Sequence, residues 1–352
     1  MNKYLSDLAA GLEPYVPGEQ PKDRRYVKLN TNESPYGPSP LVIKAINENA
    51  GDDLRLYPDP GSSVLLEAAS EFYGIPADMI FAGNGSDEVL AFAFAAFYSG
   101  KKLVFPEVTY SFYPVYCNLY GIDYVELPMG RNLSMDTEGM KNAGCGVVFP
   151  NPNAPTGEML GLSEIKEILE ANRDNVVLVD EAYIDFGGKS CIDLVMEFDN
   201  LLVVQTFSKS RSLAGLRIGL AFGSKPLVDG LNRVKNSFNS YPLDRIAQYA
   251  GAAALKDDLY YREMQEKIIR TRTKAVQRLI ELGFNVLDSA ANFIFVTHKE
   301  LKAGYIYNKL KENEVLVRYF NKPGIDNFIR ITIGTDEQME ILYDNLEKIL
   351  EG

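Results

Sequence analysis

Histidine is nearly absent from this 352-residue chain: His298 is the only one. With a single imidazole, a His-ligated metal centre and a Ser-His-Asp triad drop out, and no metal is expected. His298 follows the apolar run Phe293–Val296, and a strand-end surface position is expected for it. Cysteine is scarce too. Cys117, Cys145 and Cys191 stand far apart without a CxxC pair, which suits a reducing compartment and argues against a disulfide framework or a thiolate site. Positive charge is in deficit, 36 Lys and Arg against 48 Asp and Glu, for a net charge of −12. No basic surplus exists to displace counterions from a nucleic acid. Long apolar runs are missing as well. The longest, Val89–Tyr98, is about half the ~20 residues of a membrane span and reads as a buried helix. The opening MNKYLSDLAAGLEPYVPG has no cleavage pattern, so no signal peptide is expected and a cytoplasmic location is.

What is present points to a layered α/β protein. The length calls for two unequal domains rather than one core. Residues 1–40, rich in Pro, Gly and Asn, read as an extended arm. Residues 41–242 read as a large domain, opened by helices over Leu41–Asn49 and Ser63–Tyr73, the latter closed by Gly74. Short β-rich runs then alternate with helices: Met79–Ala82, Lys102–Phe105, Asp123–Leu127, Gly146–Phe149, Val176–Val179, Leu201–Gln205 and Ile218–Phe222. Several are apolar on both faces, the pattern of a mainly parallel central sheet flanked by helices. Residues 243–352 read as a long helical region, Leu243–Gly283, followed by a smaller α+β unit. Its strands are expected near Asn292–Thr297, Val315–Arg318 and Phe328–Ile333, its helices at Lys299–Asn313 and Glu337–Leu350.

Three segments carry chemistry. In Phe81-Ala-Gly-Asn-Gly-Ser-Asp-Glu88 a strand, a glycine-rich turn with Gly83 and Gly85, and a helix start present free N–H groups that suit a phosphate. Ser86 and Asp87 are expected at the capping position. Glu88 stands where the third glycine of GxGxxG would be, which counts against a dinucleotide. In Val176-Val-Leu-Val-Asp180-Glu-Ala-Tyr183 an apolar strand delivers a carboxylate, and Tyr183 follows three residues on. Strand ends of this kind border the ligand crevice of open α/β sheets. In Gln205-Thr-Phe-Ser-Lys209, continuing to Arg217, a lysine sits at the mouth of a buried strand. Confinement lowers a lysine's proton affinity and frees its amine to attack. Thr206, Ser208 and Arg217 could complete a phosphate cradle. Each segment alone is read as readily as a capped turn or a solvated side chain. Together, a phosphate turn, a buried acid and an activated lysine are the protein parts that a pyridoxal-phosphate enzyme needs.

With those residues in hand, the chain resembles the fold-type-I pyridoxal-phosphate aminotransferases, and within them the histidinol-phosphate aminotransferase group. EPYVPG, LNTNESPYGP, YPDP, GNGSDE, NPNAPTG, VDEAYIDF, TFSKSRSLAGLRIG, VLVRYF and FIRITIGT carry the likeness nearly end to end. The resemblance implies Lys209 as the Schiff-base lysine, Asp180 as partner of the pyridine nitrogen and Tyr183 as a hydrogen-bond partner of the cofactor's phenolic oxygen. It implies Gly85, Ser86, Asp87, Thr206, Ser208 and Arg217 around the phosphate, and Tyr110 stacked on the ring. Tyr57 would reach the cofactor phosphate of a neighbouring subunit, so a homodimer is implied. Arg330 and Arg318 would hold substrate anions, glutamate's carboxylate and a substrate phosphate, with Tyr15 and Asn32 contributing from the arm. There is one departure. The family places Asn directly before Pro-Thr-Gly, and here that position is Ala154. Either Asn153 reaches in from a shifted backbone, or Tyr183 acts without that partner.

The activity implied is amino transfer between glutamate or 2-oxoglutarate and histidinol phosphate or its keto partner. Alternatives on the same scaffold are an aromatic aminotransferase and a threonine-phosphate decarboxylase. A pyridoxal-phosphate-binding transcription regulator is disfavoured, because fewer than ~40 residues precede the motifs and the chain is acidic. A nicotinamide oxidoreductase lacks its fingerprint here.

Overall fold

The computed structural model describes residues 4–15, 18–21 and 23–351. Val16 and Pro17 of the EPYVPG motif lie outside the described residues.

The strands of the large sheet are β1 (Ile80–Asn84), β2 (Lys102–Pro106), β3 (Asp123–Leu127), β4 (Gly146–Pro150), β5 (Val177–Asp180), β6 (Leu201–Thr206) and β7 (Ile218–Gly223). They lie in the order β1-β7-β6-β5-β4-β2-β3. Only β7 runs against the rest, antiparallel to both β1 and β6. Every residue of β4 to β7 is buried, because successive side chains alternate between two covered faces. Val147, Phe149, Val177, Val179, Leu201 and Val203 share one core with helices Ser63–Tyr73 and Leu162–Ala171. Val148, Leu178, Leu202 and Val204 face the other way, into a core with helices Gly85–Ala93, Phe112–Tyr120 and Lys225–Phe238. The apolar run Val89–Tyr98 is helical as expected, but its second half, Phe94–Tyr98, is a π-turn.

The region Leu243–Gly283 is two helices, Arg245–Lys256 and Asp258–Glu281, separated at Asp257, whose backbone (φ −103°, ψ 51°) leaves the helical region. The first of them contributes Ala247, Ala250, Ala254 and Leu255 to the large-sheet core, although it follows residue 242. The second covers the small antiparallel sheet. That sheet holds β8 (Phe284–Val286), β9 (Phe293–His298), β10 (Arg318–Tyr319) and β11 (Ile329–Thr332), ordered β10-β11-β9-β8. The expected strand Val315–Arg318 is divided because two partners claim its halves. Val315 and Leu316 pair in parallel with Val27 and Lys28 of the arm, while Arg318 and Tyr319 pair with β11. His298 is also a correction: it is buried, not at the surface. Its Nδ1 accepts the N–H groups of Glu300 and Leu301 at 3.2 and 3.0 Å, which leaves the proton on Nε2 to meet the Leu282 carbonyl at 3.2 Å.

Candidate active site

Six of the large-sheet strands point their carboxyl ends to one edge, and the reversed β7 begins there. Strand pairing sets Pro150 beside Asp180, Thr206 beside Gly219 and Asn84 beside Ile218. Residues distant in sequence therefore converge on one crevice: Gly85, Ser86 and Asp87 after β1, Asp180 at the end of β5, Ser208 and Lys209 after β6, and Arg217 before β7. Glycine is required where the β1 turn meets Arg217. Gly85 has φ +81°, and a Cβ there would lie 2.5 Å from Arg217 Nη2. A Gly85→Ala variant should lose about 2 kcal/mol of stability or more, since an L residue resists this backbone and Arg217 must move. Denaturant unfolding checks it, and an unchanged midpoint would contradict the crowding argument.

The residues expected of a phosphate cradle are brought to one cavity. Ser86 and Asp87 stand in the first turn of the Gly85–Ala93 helix, whose N-cap is Asn84, two and three residues before them, so the capping position expected of them is corrected. Glu88 folds back to accept the Asn84 N–H at 2.6 Å. Thr206 donates its hydroxyl to Ser208 Oγ at 3.0 Å, and Arg217 Nη1 reaches the same oxygen at 3.4 Å. Asp87 serves differently from the others. Its carboxylate accepts Tyr110 Oη and Arg217 Nη2, each at 2.7 Å, so it aims a ring and a guanidinium at the crevice rather than meeting an anion itself.

Asp180 is almost wholly buried. Tyr113 donates to Oδ2 at 3.1 Å and the Ala182 N–H to Oδ1 at 3.2 Å. Burial nevertheless pushes its pKa up to about 7, the two hydrogen bonds only partly offsetting the lost hydration. An acid held this way at a cavity wall is stabilised as an anion by a cationic N–H brought against it. A protonated pyridine nitrogen fits that need, and the hydroxyls, guanidinium and helix start fit a phosphate at the other end. Between them, Lys209 Nζ donates to the Thr31 carbonyl at 3.2 Å and lies 5.6 Å from the centre of the Tyr183 ring.

This crevice opens at Lys209 into a second cavity, lined by Tyr15, Asn30, Asn32, Phe320, Arg318 and Arg330. Tyr110, Ala154, Tyr183, Thr31 and Lys209 border both. Arg318 and Arg330 stand opposite each other across β10 and β11 and meet aromatic faces rather than carboxylates. Arg318 lies over Phe320, and Arg330 lies over Phe293 and Phe320. Burial lowers the pKa of Arg330, and among the described residues its Nε has no hydrogen-bond partner. Its Nη2 donates to the Asn30 carbonyl at 3.0 Å. A guanidinium so placed is short of an anion. Tyr15 stacks on Phe112 at 4.3 Å, and Asn32 donates to Tyr183 Oη at 3.0 Å.

Two expected residues are not brought to this chain's own crevice. Asn153 is fully buried, and its amide is engaged by the Val108 carbonyl and Thr156 hydroxyl at 2.9 and 3.0 Å. Ala154 faces the cavities in its place. Tyr57 is 80% exposed and stacks on Tyr241 at 4.8 Å. Residues that motif reading missed are Tyr113, Thr332 and Phe320. Tyr113, three positions after Tyr110 and in the first turn of the Phe112–Tyr120 helix, was the one with a legible signal.

A strand-end lysine facing a buried acid, with a phosphate cradle beside them on a mostly parallel sheet, defines the class: a pyridoxal-phosphate enzyme of the fold-type-I architecture. The model of the family "Aminotransferase class I and II" matches residues 24–346. The chain is 52% identical over 351 residues, 99% of each protein, to the histidinol-phosphate aminotransferase of Clostridium botulinum strain Kyoto, and 52% identical over full length to that of Brachyspira hyodysenteriae. The solved structure of the Sinorhizobium meliloti histidinol-phosphate aminotransferase in complex with pyridoxal-5'-phosphate superposes with a TM-score of 0.90, at 25% identity, covering 99% of this chain and 98% of that one. The chain belongs to the class I and II aminotransferase family.

Proposed function

We propose that the protein transfers an amino group between histidinol phosphate and 2-oxoglutarate, giving glutamate and the keto partner of histidinol phosphate or running in reverse, in histidine biosynthesis, as a cytoplasmic homodimer. The observation that carries the substrate reading is the facing pair Arg318 and Arg330 in the cavity that ends at Lys209. Two substrates use one cavity in turn, and both bring an anion that a planar guanidinium can grip with two hydrogen bonds. The full-length relatives of known name support the same choice.

Bound here, pyridoxal phosphate would supply the electron sink that takes up the pair left when a substrate Cα loses its proton. The chain's own residues do the rest. Asp180 holds the proton on the ring nitrogen. Ser86, Thr206, Ser208 and Arg217 would hold the phosphate, and Tyr110, aimed by Asp87, would cover the ring. Lys209 would hold the cofactor through its amine, and that amine, at the junction of the two cavities, would carry the proton away from the substrate Cα and return it. Arg330 would grip the anion that each substrate brings, glutamate's α-carboxylate or the phosphate of histidinol phosphate, so that the substrate Cα stands near Lys209 Nζ. Tyr57, exposed and outside the lining of its own crevice, is proposed to complete the phosphate site of the second subunit.

Histidinol phosphate added to the holoprotein should convert the visible absorbance to that of the amine form, and 2-oxoglutarate should restore it. A response to phenylalanine or tyrosine in its place would overturn the substrate reading, as would carbon dioxide released from threonine phosphate. Arg330→Lys should raise KM for both amino donors by about 10²-fold, since a point charge replaces a two-bond fork. Steady-state kinetics reads this directly, and an unchanged KM for glutamate would remove Arg330 from the role.

A further inference from the structure

Tyr183 reaches both cavities beside Lys209, and the direction of its hydroxyl hydrogen decides what it can do there. Three groups behind it determine that direction. The main-chain N–H of Asn32 donates to Thr332 Oγ1 at 3.0 Å. With that oxygen accepting, the Thr332 hydroxyl hydrogen goes to Asn32 Oδ1, 2.9 Å away. Flipping the Asn32 amide would take away that acceptor and leave the Thr332 hydroxyl hydrogen unpaired, so Nδ2 is the atom turned toward Tyr183 Oη, at 3.0 Å. Tyr183 therefore accepts from behind. Its own hydrogen has no acceptor among the described residues and is left for the cavity.

Much of the backbone is committed to this arrangement. Asn32 is buried, with a left-handed backbone at φ +56°, a conformation disfavoured for non-glycine residues though asparagine tolerates it best. Its carbonyl accepts Asn292 Nδ2 at 3.0 Å. The position that could have supplied a second side-chain donor to the cavity is Ala154, a methyl group.

We propose that Asn32 is a positioning residue: with Thr332 behind it, it fixes Tyr183 as an obligatory hydrogen-bond donor toward the phenolic oxygen of the cofactor, in the place left open by Ala154. The inference rests on the proposed cofactor chemistry. A donor aimed at that oxygen stabilises its negative charge and makes the neighbouring nitrogen, through which Lys209 holds the cofactor, less basic. The relay thus sets the pH at which the visible band of the resting holoprotein changes.

The test is a pH titration of that band, which requires no turnover. Asn32→Asp keeps the shape and tolerates the backbone, but its carboxylate accepts the Tyr183 hydrogen and turns the donation backwards. The midpoint should rise by about one pH unit or more, the size of one hydrogen bond to a charged group. The added charge acts through space as well, so the same substitution is repeated in a Tyr183→Phe background, where the shift should fall to less than half. Thr332→Val, which frees the amide to flip, should give a smaller rise that vanishes with Tyr183→Phe, and it carries the test if Asn32→Asp does not take up cofactor. Equal shifts in both backgrounds, or none in either variant, overturn the proposal. A wild-type protein with no visible band after addition of pyridoxal phosphate would instead defeat the cofactor reading on which it rests.

Discussion

Lys209→Ala should leave a folded protein that still takes up pyridoxal phosphate, and transamination should fall by roughly 10⁴-fold or more. Among the described residues Lys209 is the one side-chain amine that borders both cavities, so none of these neighbours can take over the proton at the substrate Cα. Folding should hardly notice the change. The ammonium makes a single hydrogen bond, to the Thr31 carbonyl, and a loose contact with the Tyr183 ring, together of the order of 1 kcal/mol. The phosphate cradle and Asp180 remain, so cofactor should be retained without a covalent link. Borohydride should fix cofactor mass to the Lys209 peptide of the wild type and leave the variant unlabelled. Labelling of another lysine in the wild type, or a variant within tenfold of wild-type turnover, would remove Lys209 from the centre of the mechanism.

The large sheet was legible because it is buried on both faces. Runs such as Val176–Val179 and Leu201–Gln205 have no polar face to hide, and each lies within one residue of the strand found. The crevice was legible for a related reason: strand ends deliver residues to one edge whatever the loops do, which is why Asp180, Lys209 and Arg217 converge. Where pairing is chosen between distant partners, local pattern fails. Val315–Arg318 reads as one strand, yet Val315 joins the arm and Arg318 the small sheet. The long helix after Leu243 breaks at Asp257, a residue with no glycine or proline to announce it. Asn153 against Ala154 was decided by which side chain the loop turned inward, and the Val108 carbonyl that engages Asn153 lies 45 positions away. The support behind Tyr183 comes from Asn32 and Thr332, 300 positions apart. No spacing rule reaches across such a distance.

Asp180→Asn should separate what the acid does for stability from what it does for chemistry. In the cofactor-free fold its pKa is pushed up to about 7, chiefly by burial, whereas in an unfolded chain an aspartate titrates near 4. Between those values the folded state binds more proton than the unfolded one, so stability falls as pH rises from about 4 to about 7 and stays low above it. The cost at pH 8 is roughly 4 kcal/mol at most, from about three pH units. An amide carries no such penalty. The cofactor-free variant should therefore unfold at higher denaturant than the wild type at pH 8, and the difference should close near pH 4. With pyridoxal phosphate the order should reverse. A protonated ring nitrogen against Asp180 keeps the carboxylate ionised with a partner, while the neutral amide of the variant offers that nitrogen no counter-charge. Turnover of the variant should drop by about 10³-fold, the cost of losing a preorganised charge where charge is needed. Denaturant curves with and without cofactor at both pH values measure every part of this. If the two proteins kept the same stability difference at pH 4 and pH 8, the carboxyl would not be held protonated by its burial. The crevice would then owe its affinity for a cationic ring to something other than an acid destabilised in its absence, which is the usual trade of stability for function at such sites.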